Sequence, residues 1–301
     1  MDVTTAKAIS MLALGLGSFF VGMVPACISQ NARQRHPLLI SCLLCFGGGV
    51  LLATALVHML PEAREQLPKY SELMLCVGFF IVYIVDEIVH LFYGTNQSVS
   101  HRSYGSMERS TLLGGTDGEL GRCCGDTQNP RMCHVSHTEP CNKSLSGILG
   151  LLSALFVHSL LEGLAIGLQE TASQVLLLLA AVAIHKYVVG FCLGAELCAS
   201  TSGVCMHIVC VALFSGGSVA GIAIGGALNN VSNVKDSVAV PILQSIAAGT
   251  LLYVTVSEVL PRERARWHER RRGAGVAQLL AVGCGFALMY LSTVYLEHDA
   301  V

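Results

Sequence analysis

His158 and Glu162 stand four residues apart in the stretch HSLLEG, and His185 heads an HK pair with Lys186 about a helix length further on. On a helix, residues four apart lie on one face, one turn above the other. A neutral imidazole and a carboxylate on one face, joined by an imidazole from the next helix, are ligand types that hold a divalent metal. Two imidazoles and a carboxylate suit Zn²⁺, with water or another side chain completing four-coordination. Fe²⁺, Mn²⁺, Co²⁺ and Cd²⁺ accept the same set. Histidine must shed its proton to bind, so any such activity is expected to weaken in acid.

These groups sit where ionisable side chains are costly. The 301 residues are 53% hydrophobic and 13% charged, against about one quarter charged in an ordinary soluble domain. Stretches of about 20 apolar residues span a bilayer, and eight are found: 6–28, 38–60, 72–93, 145–168, 174–198, 204–228, 239–260 and 275–296. At mid-membrane an ionisable group costs about 2.5–3.5 kcal/mol on insertion scales. The bland reading of any one of them is a snorkelling helix-end residue or an interhelical hydrogen bond. His158, Glu162 and His185 together, near the middle of runs four and five, are better explained as a site.

Further polar residues are ordered by depth. His58 and Glu62 fall at the outer end of run two, Asp86 and His90 towards the inner end of run three, and Glu258 near the inner end of run seven. Read with the central set, they make an outer mouth, a middle station and an inner exit, and several weak stations let an ion both enter and leave. Gly163 and Gly167 share a face at small-xxx-small spacing, which lets run four pack closely on a neighbour.

Orientation follows from arginine and lysine. Arg33 and Arg35, the basic residues of 94–144, and the run RERARWHERRR that begins at Arg262 lie on one side; Lys7, Arg64, Lys69 and Lys235 lie on the other. The positive-inside rule places the first group in the cytoplasm and both termini outside. Asn230-Val-Ser232 is a glycosylation sequon on the outer side; two more in 94–144 are taken as chance. Most of the 13 cysteines are scattered through apolar runs, and together they do not read as a secreted disulfide framework. The first apolar run is too long for a cleavable signal peptide. A net charge of −2 gives no support to nucleic-acid binding.

An internal repeat supports the count. FGGGVLLATALVHMLP (46–61) aligns without a gap on IAAGTLLYVTVSEVLP (246–261), with His58 on Glu258, and GFFIVY from Gly78 echoes GFALMY from Gly285. These runs cross in opposite directions, as in transporters built from inverted repeats with the substrate site at their interface. The expected fold is an all-α membrane protein in which runs 1–3 and 6–8 form an inverted repeat around runs 4–5. Its divisions are 1–93, a cytoplasmic loop 94–144 read as disordered, and 145–301. The loop carries Cys123, Cys124, Cys133, His134, His137 and Cys141 but lacks CxxC pairs and HxH runs, so specific metal binding there is not the favoured reading.

HSLLEGLAIGLQ followed by HK, together with GGGVLLATALVHMLPEA, VGFFIVYIVDEI and AAGTLLYVTVSEVLP, resembles the Zrt/Irt-like protein (ZIP) family of metal-uptake transporters, and is similar to its animal plasma-membrane branch. The likeness covers the membrane part and not 94–144. It implies eight helices, outside termini, zinc moving into the cytosol, and a central metal site carried here to His158, Glu162 and His185. Some relatives hold a second, adjacent metal, whose positions correspond to Ser159, Lys186 and Ser218. Lys186 puts a fixed cation there, so one central metal is expected in this chain. The family often has a proline in helix six where this chain has Val219.

The expected function is therefore inward transport of zinc, with Fe²⁺, Mn²⁺ or Cd²⁺ as further cargo. The transport pathway is His58, Glu62, Asp86, His90, Ser159, Lys186 and Glu258 around the metal site. No prosthetic group and no enzymatic activity are expected. The partners are the zinc ion and the lipid bilayer, without nucleic acid, and a homodimer is compatible with the sequence. A proton or monovalent-cation channel using the His/Glu chain is the alternative. An intramembrane metallohydrolase is a weaker one, because the sequence has no HExxH. The plasma membrane is the expected location.

Overall fold

The computed structural model describes residues 1–27, 37–93, 145–199, 203–231, 238–267 and 273–299. The loop 94–144 and its cysteine–histidine tuft, with both sequons inside it, lie outside the described residues. So do Arg33, Arg35, Lys235, Arg270, Arg271, Arg272 and the serine of the Asn230 sequon.

Among the described residues the structure is helical, and eight helices are long and apolar enough to cross a membrane. They are α1 (Val3–Cys27), α2 (37–66), α3 (Ser71–Tyr93), α4 (Leu145–Gly167), α5 (Ala172–Ala199), α6 (Val204–Val231), α7 (239–267) and α8 (Ala274–Asp299). Each contains an apolar run of the sequence, and α2 and α7 continue beyond theirs, to Gln66 and Trp267. α6 is continuous through Val219. The large exposed side chains are aliphatic or aromatic, as along Phe80, Ile84, Ile88 and Leu91 of α3 and Leu280, Leu288 and Leu291 of α8. A helix whose outer face is apolar in this way faces lipid rather than water.

α2 and α7 are not regular. α2 runs as α-helix over Pro37–Ala53, opens into a π-helical turn over Thr54–Met59 and resumes over Leu60–Gln66. α7 does the same over Ala239–Tyr253, Val254–Val259 and Leu260–Trp267. The two π turns coincide in the register of the repeat, 200 residues apart, and each carries its ionisable residue: His58 in the first and Glu258 in the second. π turns of this kind recur at functional sites. Each is followed immediately by Leu-Pro, so the proline falls in the first turn of the resumed helix, where its missing N–H matters least.

Helix pairing obeys the repeat. α1 packs on α5 and α6 on α4; α2 packs on α8 and α7 on α3. Exchanging the two halves thus maps each pair onto the other. The close contacts are made by matching glycines. A Cβ on Gly49 would collide with the Val282 carbonyl of α8, and one on Gly249 with the Leu75 carbonyl of α3. Gly285 abuts the Phe46 carbonyl, and Gly78 the Ile246 carbonyl. Without a hydrophobic force between helices in lipid, such close backbone approach is what holds them together. Gly163 and Gly167 of α4 play the same part against Ser218 and Ile222 of α6, on the face expected from their spacing.

Candidate metal centre

α4 and α5 bring the central residues together. His158, Glu162 and His185 are 1–3% exposed, and one ligand atom from each lies within 4.8 Å of the others. His158 Nε2 is 3.0 Å from Glu162 Oε1, and His185 Nε2 is 2.5 Å from the same oxygen. The outer ring nitrogens fix the tautomers. His158 Nδ1–H donates to the Ala247 carbonyl at 3.1 Å and to Thr250 Oγ1 at 3.0 Å. Thr250 spends its own proton on Ala247 O, at 2.6 Å, so its oxygen is free to accept. His185 Nδ1–H donates to the Ala181 carbonyl at 3.2 Å. With both protons held on Nδ1, both Nε2 atoms present lone pairs.

Three acceptors therefore converge in a space shut off from water. His158 Nε2 has no hydrogen-bond partner, nor has Glu162 Oε2. Facing lone pairs repel, and buried acceptors without donors are costly. A proton shared by His185 and Glu162 relieves part of this, and a cation relieves all of it. Two ligand atoms about 2.0–2.1 Å from a tetrahedral zinc lie roughly 3.3 Å apart. The His158–Glu162 spacing is near that value, and the His185–Glu162 spacing has to open slightly. The second carboxylate oxygen, Glu162 Oε2, lies 3.9 Å from Lys186 Nζ.

Lys186 is itself 1% exposed. Its ammonium donates to Ser159 Oγ at 2.9 Å and sits over the Phe214 ring, 4.4 Å from its centre. Ser218 Oγ donates to the Ser159 carbonyl at 3.2 Å. Ser159, Lys186 and Ser218 thus form one cluster beside the central three, with a fixed positive charge at its heart.

The residues expected from the sequence to form a pathway fall on two sides of this cluster. His58 and Glu62 approach each other at 4.0 Å and line a small cavity that also touches Glu162 and His185. Gln244 of α7 joins it, donating from Nε2 to Glu62 Oε1 at 3.3 Å, while its own buried oxygen has no partner. Asp86 accepts from Tyr253 O–H at 3.0 Å and lies 3.9 Å from His90 Nε2. Glu258 is ion-paired to Arg262, one turn on. It lines a second cavity, together with Glu196, Arg262 and Glu263, that shares no lining residue with the first.

A profile of the family described as "ZIP Zinc transporter" matches residues 4–293. The chain belongs to the ZIP zinc transporter family. Its relatives include mouse zinc transporter ZIP1, 30% identical over 93% of this chain and 88% of the relative. Human zinc transporter ZIP1 is 27% identical over 96% and 90%, and human zinc transporter ZIP2 is 29% identical over 93% and 94%. The match covers every helix that contributes to the centre, so membership in the ZIP family and the eight-helix architecture agree.

One reading of the sequence is corrected. Arg262 counts there among the loop arginines that fix orientation. α7 instead continues to Trp267, and Arg262 lies inside the helical body, 7% exposed. Pro261 falls in the first turn of the resumed helix and does not end it. Sequence reading also passed over Thr250, Gln244 and His207. His207 donates from Nε2 to the Gly22 carbonyl at 3.0 Å and ties α6 to α1.

Proposed function

We propose that this ZIP family member is a multi-pass membrane transporter that moves zinc into the cytosol through His158, Glu162 and His185. The observation that carries the reading is the convergence of two imidazole Nε2 atoms, that of His158 without a hydrogen-bond partner, on one buried carboxylate oxygen of Glu162 between α4 and α5. Metal enters past His58, Glu62 and Gln244, whose cavity reaches the central carboxylate. It leaves past Glu258, Asp86 and His90. The relatives named as zinc transporters support zinc as the cargo. The donor set also fits Fe²⁺, Mn²⁺ and Cd²⁺, and competitive uptake in metal-depleted cells ranks them. Lys186 beside Glu162 supports one central metal rather than two. The excess of arginine on one side supports cytoplasmic placement of 94–144, with both termini outside and the chain at the plasma membrane.

The arrangement does not favour a hydrolase. A metal-bound water needs a general base beside it, whereas the one carboxylate at the centre is itself a ligand candidate. Replacing His158 or His185 by Ala should abolish radioactive zinc uptake while surface protein stays at the wild-type level. Wild-type uptake by either variant refutes the site.

A further inference from the structure

The inner cavity contains an arginine that the transport reading does not use. Arg262 extends from α7 to three partners on three helices. Its guanidinium is ion-paired to Glu258 on its own helix, lies 3.6 Å from Glu196 Oε1 of α5, and donates to the Gly147 carbonyl of α4 at 3.0 Å. Its Nε is buried and has no partner. Glu263, in the same cavity lining, accepts from Ser41 Oγ at 2.6 Å. The lining thus brings three carboxylates and one guanidinium together, a formal charge of −2, on the side of the protein where a metal must leave.

The geometry points to Arg262 as a built-in competitor for the metal at the exit: a resident cation that holds Glu196 and Glu258 so that a departing divalent ion passes them without staying. Guanidinium is always charged and its planar fork matches carboxylates. It therefore pairs with two of the three carboxylates that line this cavity and leaves the exit a weak station. A pathway needs its last site weak, because an ion held there is not released. Arg262 also bridges α7 to α4 and α5, so its carboxylate contacts have to be remade whenever those helices move apart. The direction of travel rests on the transport reading; the metal-binding consequence does not.

Arg262→Gln removes the competitor and keeps hydrogen-bonding capacity. Purified full-length protein in nanodiscs is titrated with zinc alone and the bound metal counted. Wild type should hold one ion, lost in His158→Ala. Arg262→Gln should hold a second ion that survives in the His158→Ala background and disappears when Glu258→Gln is added. Loss of a full charge beside these carboxylates should tighten zinc there by about tenfold or more. Arg262→Lys, a point charge that reaches one carboxylate rather than two, should show a smaller gain, and it carries the test if the glutamine variant does not fold. Slower release should lower maximal uptake in both. Folded variants that bind no additional zinc overturn the proposal. Absence of the wild-type ion, with the additional ion present in Arg262→Gln, overturns the central-site reading instead.

Discussion

Thr250 reaches no metal, yet it sets what His158 can do. Its oxygen and the Ala247 carbonyl hold the His158 Nδ1 proton, and that keeps Nε2 a lone pair aimed at Glu162. Thr250→Val keeps the shape and removes the acceptor. Partners of this kind are worth about 10–100-fold in metal affinity. The half-saturating zinc concentration for uptake should rise within that range at unchanged surface expression, and an unchanged value would show that the carbonyl alone orients the ring. Lys186 acts from the other side. Its ammonium lies 3.9 Å from Glu162 Oε2 and donates to Ser159 Oγ. His158, Glu162 and His185 were readable in the sequence because a four-residue spacing within one helix fixes a shared face, and a charged residue in lipid draws attention by its cost. Thr250 and Gln244 were not. A hydroxyl in a transmembrane helix is unremarkable until the partner helix is known, and the carbonyls of Ala181 and Ala247 have no sequence signature at all.

At the scale of elements, the repeat in the sequence is the repeat in the packing. Gly49 and Gly249 occupy equivalent places, each pressed against a carbonyl of the helix that its half lends to the other. Gly249→Ala forces α7 and α3 apart, and Gly49→Ala does the same to α2 and α8. Over-packing of this kind costs typically 1–3 kcal/mol, occasionally more, so both variants should melt lower in detergent by similar amounts. Gly283→Ala on α8, where a Cβ meets nothing within 4 Å, should be neutral or slightly stabilising, since alanine is favoured over glycine in a helix by about 1 kcal/mol. Equal melting of all three would mean that these contacts do not hold the pairs. The π turns escaped the sequence because one wider turn leaves the apolar pattern of a fully buried segment unchanged. The in-register replacement of His58 by Glu258 pointed to their location but not to their form. Arg262 was misread for a related reason: charge near a helix end is normally solvated, and only the three acceptors gathered from α4, α5 and α7 show that here it is enclosed.

At the scale of the whole molecule, the two cavities lie on opposite sides of the metal centre and are not equivalent. The one beside His58 and Glu62 shares Glu162 and His185 with the centre. The one beside Glu258 shares neither, and Leu155 and Val189, among its lining residues, stand about one helical turn from His158 and His185 on its side. These two side chains belong to the main hydrophobic core. On the proposed route, an ion at His158, Glu162 and His185 therefore meets packed aliphatic groups before it meets Glu258, and its release past them requires helices to move relative to one another. Cys192, a buried free thiol in the lining beside Glu258, is placed to report that motion. In protein whose other cysteines are replaced, a membrane-permeant thiol reagent should modify Cys192 slowly in metal-free cells and several-fold faster while zinc is being transported. A ligand shifts a conformational equilibrium only by binding one state better than the other, so His158→Ala should abolish the acceleration while leaving the slow basal rate. Modification at one rate with and without zinc would mean that the aliphatic layer does not open during transport, and that the ion leaves the centre by another route.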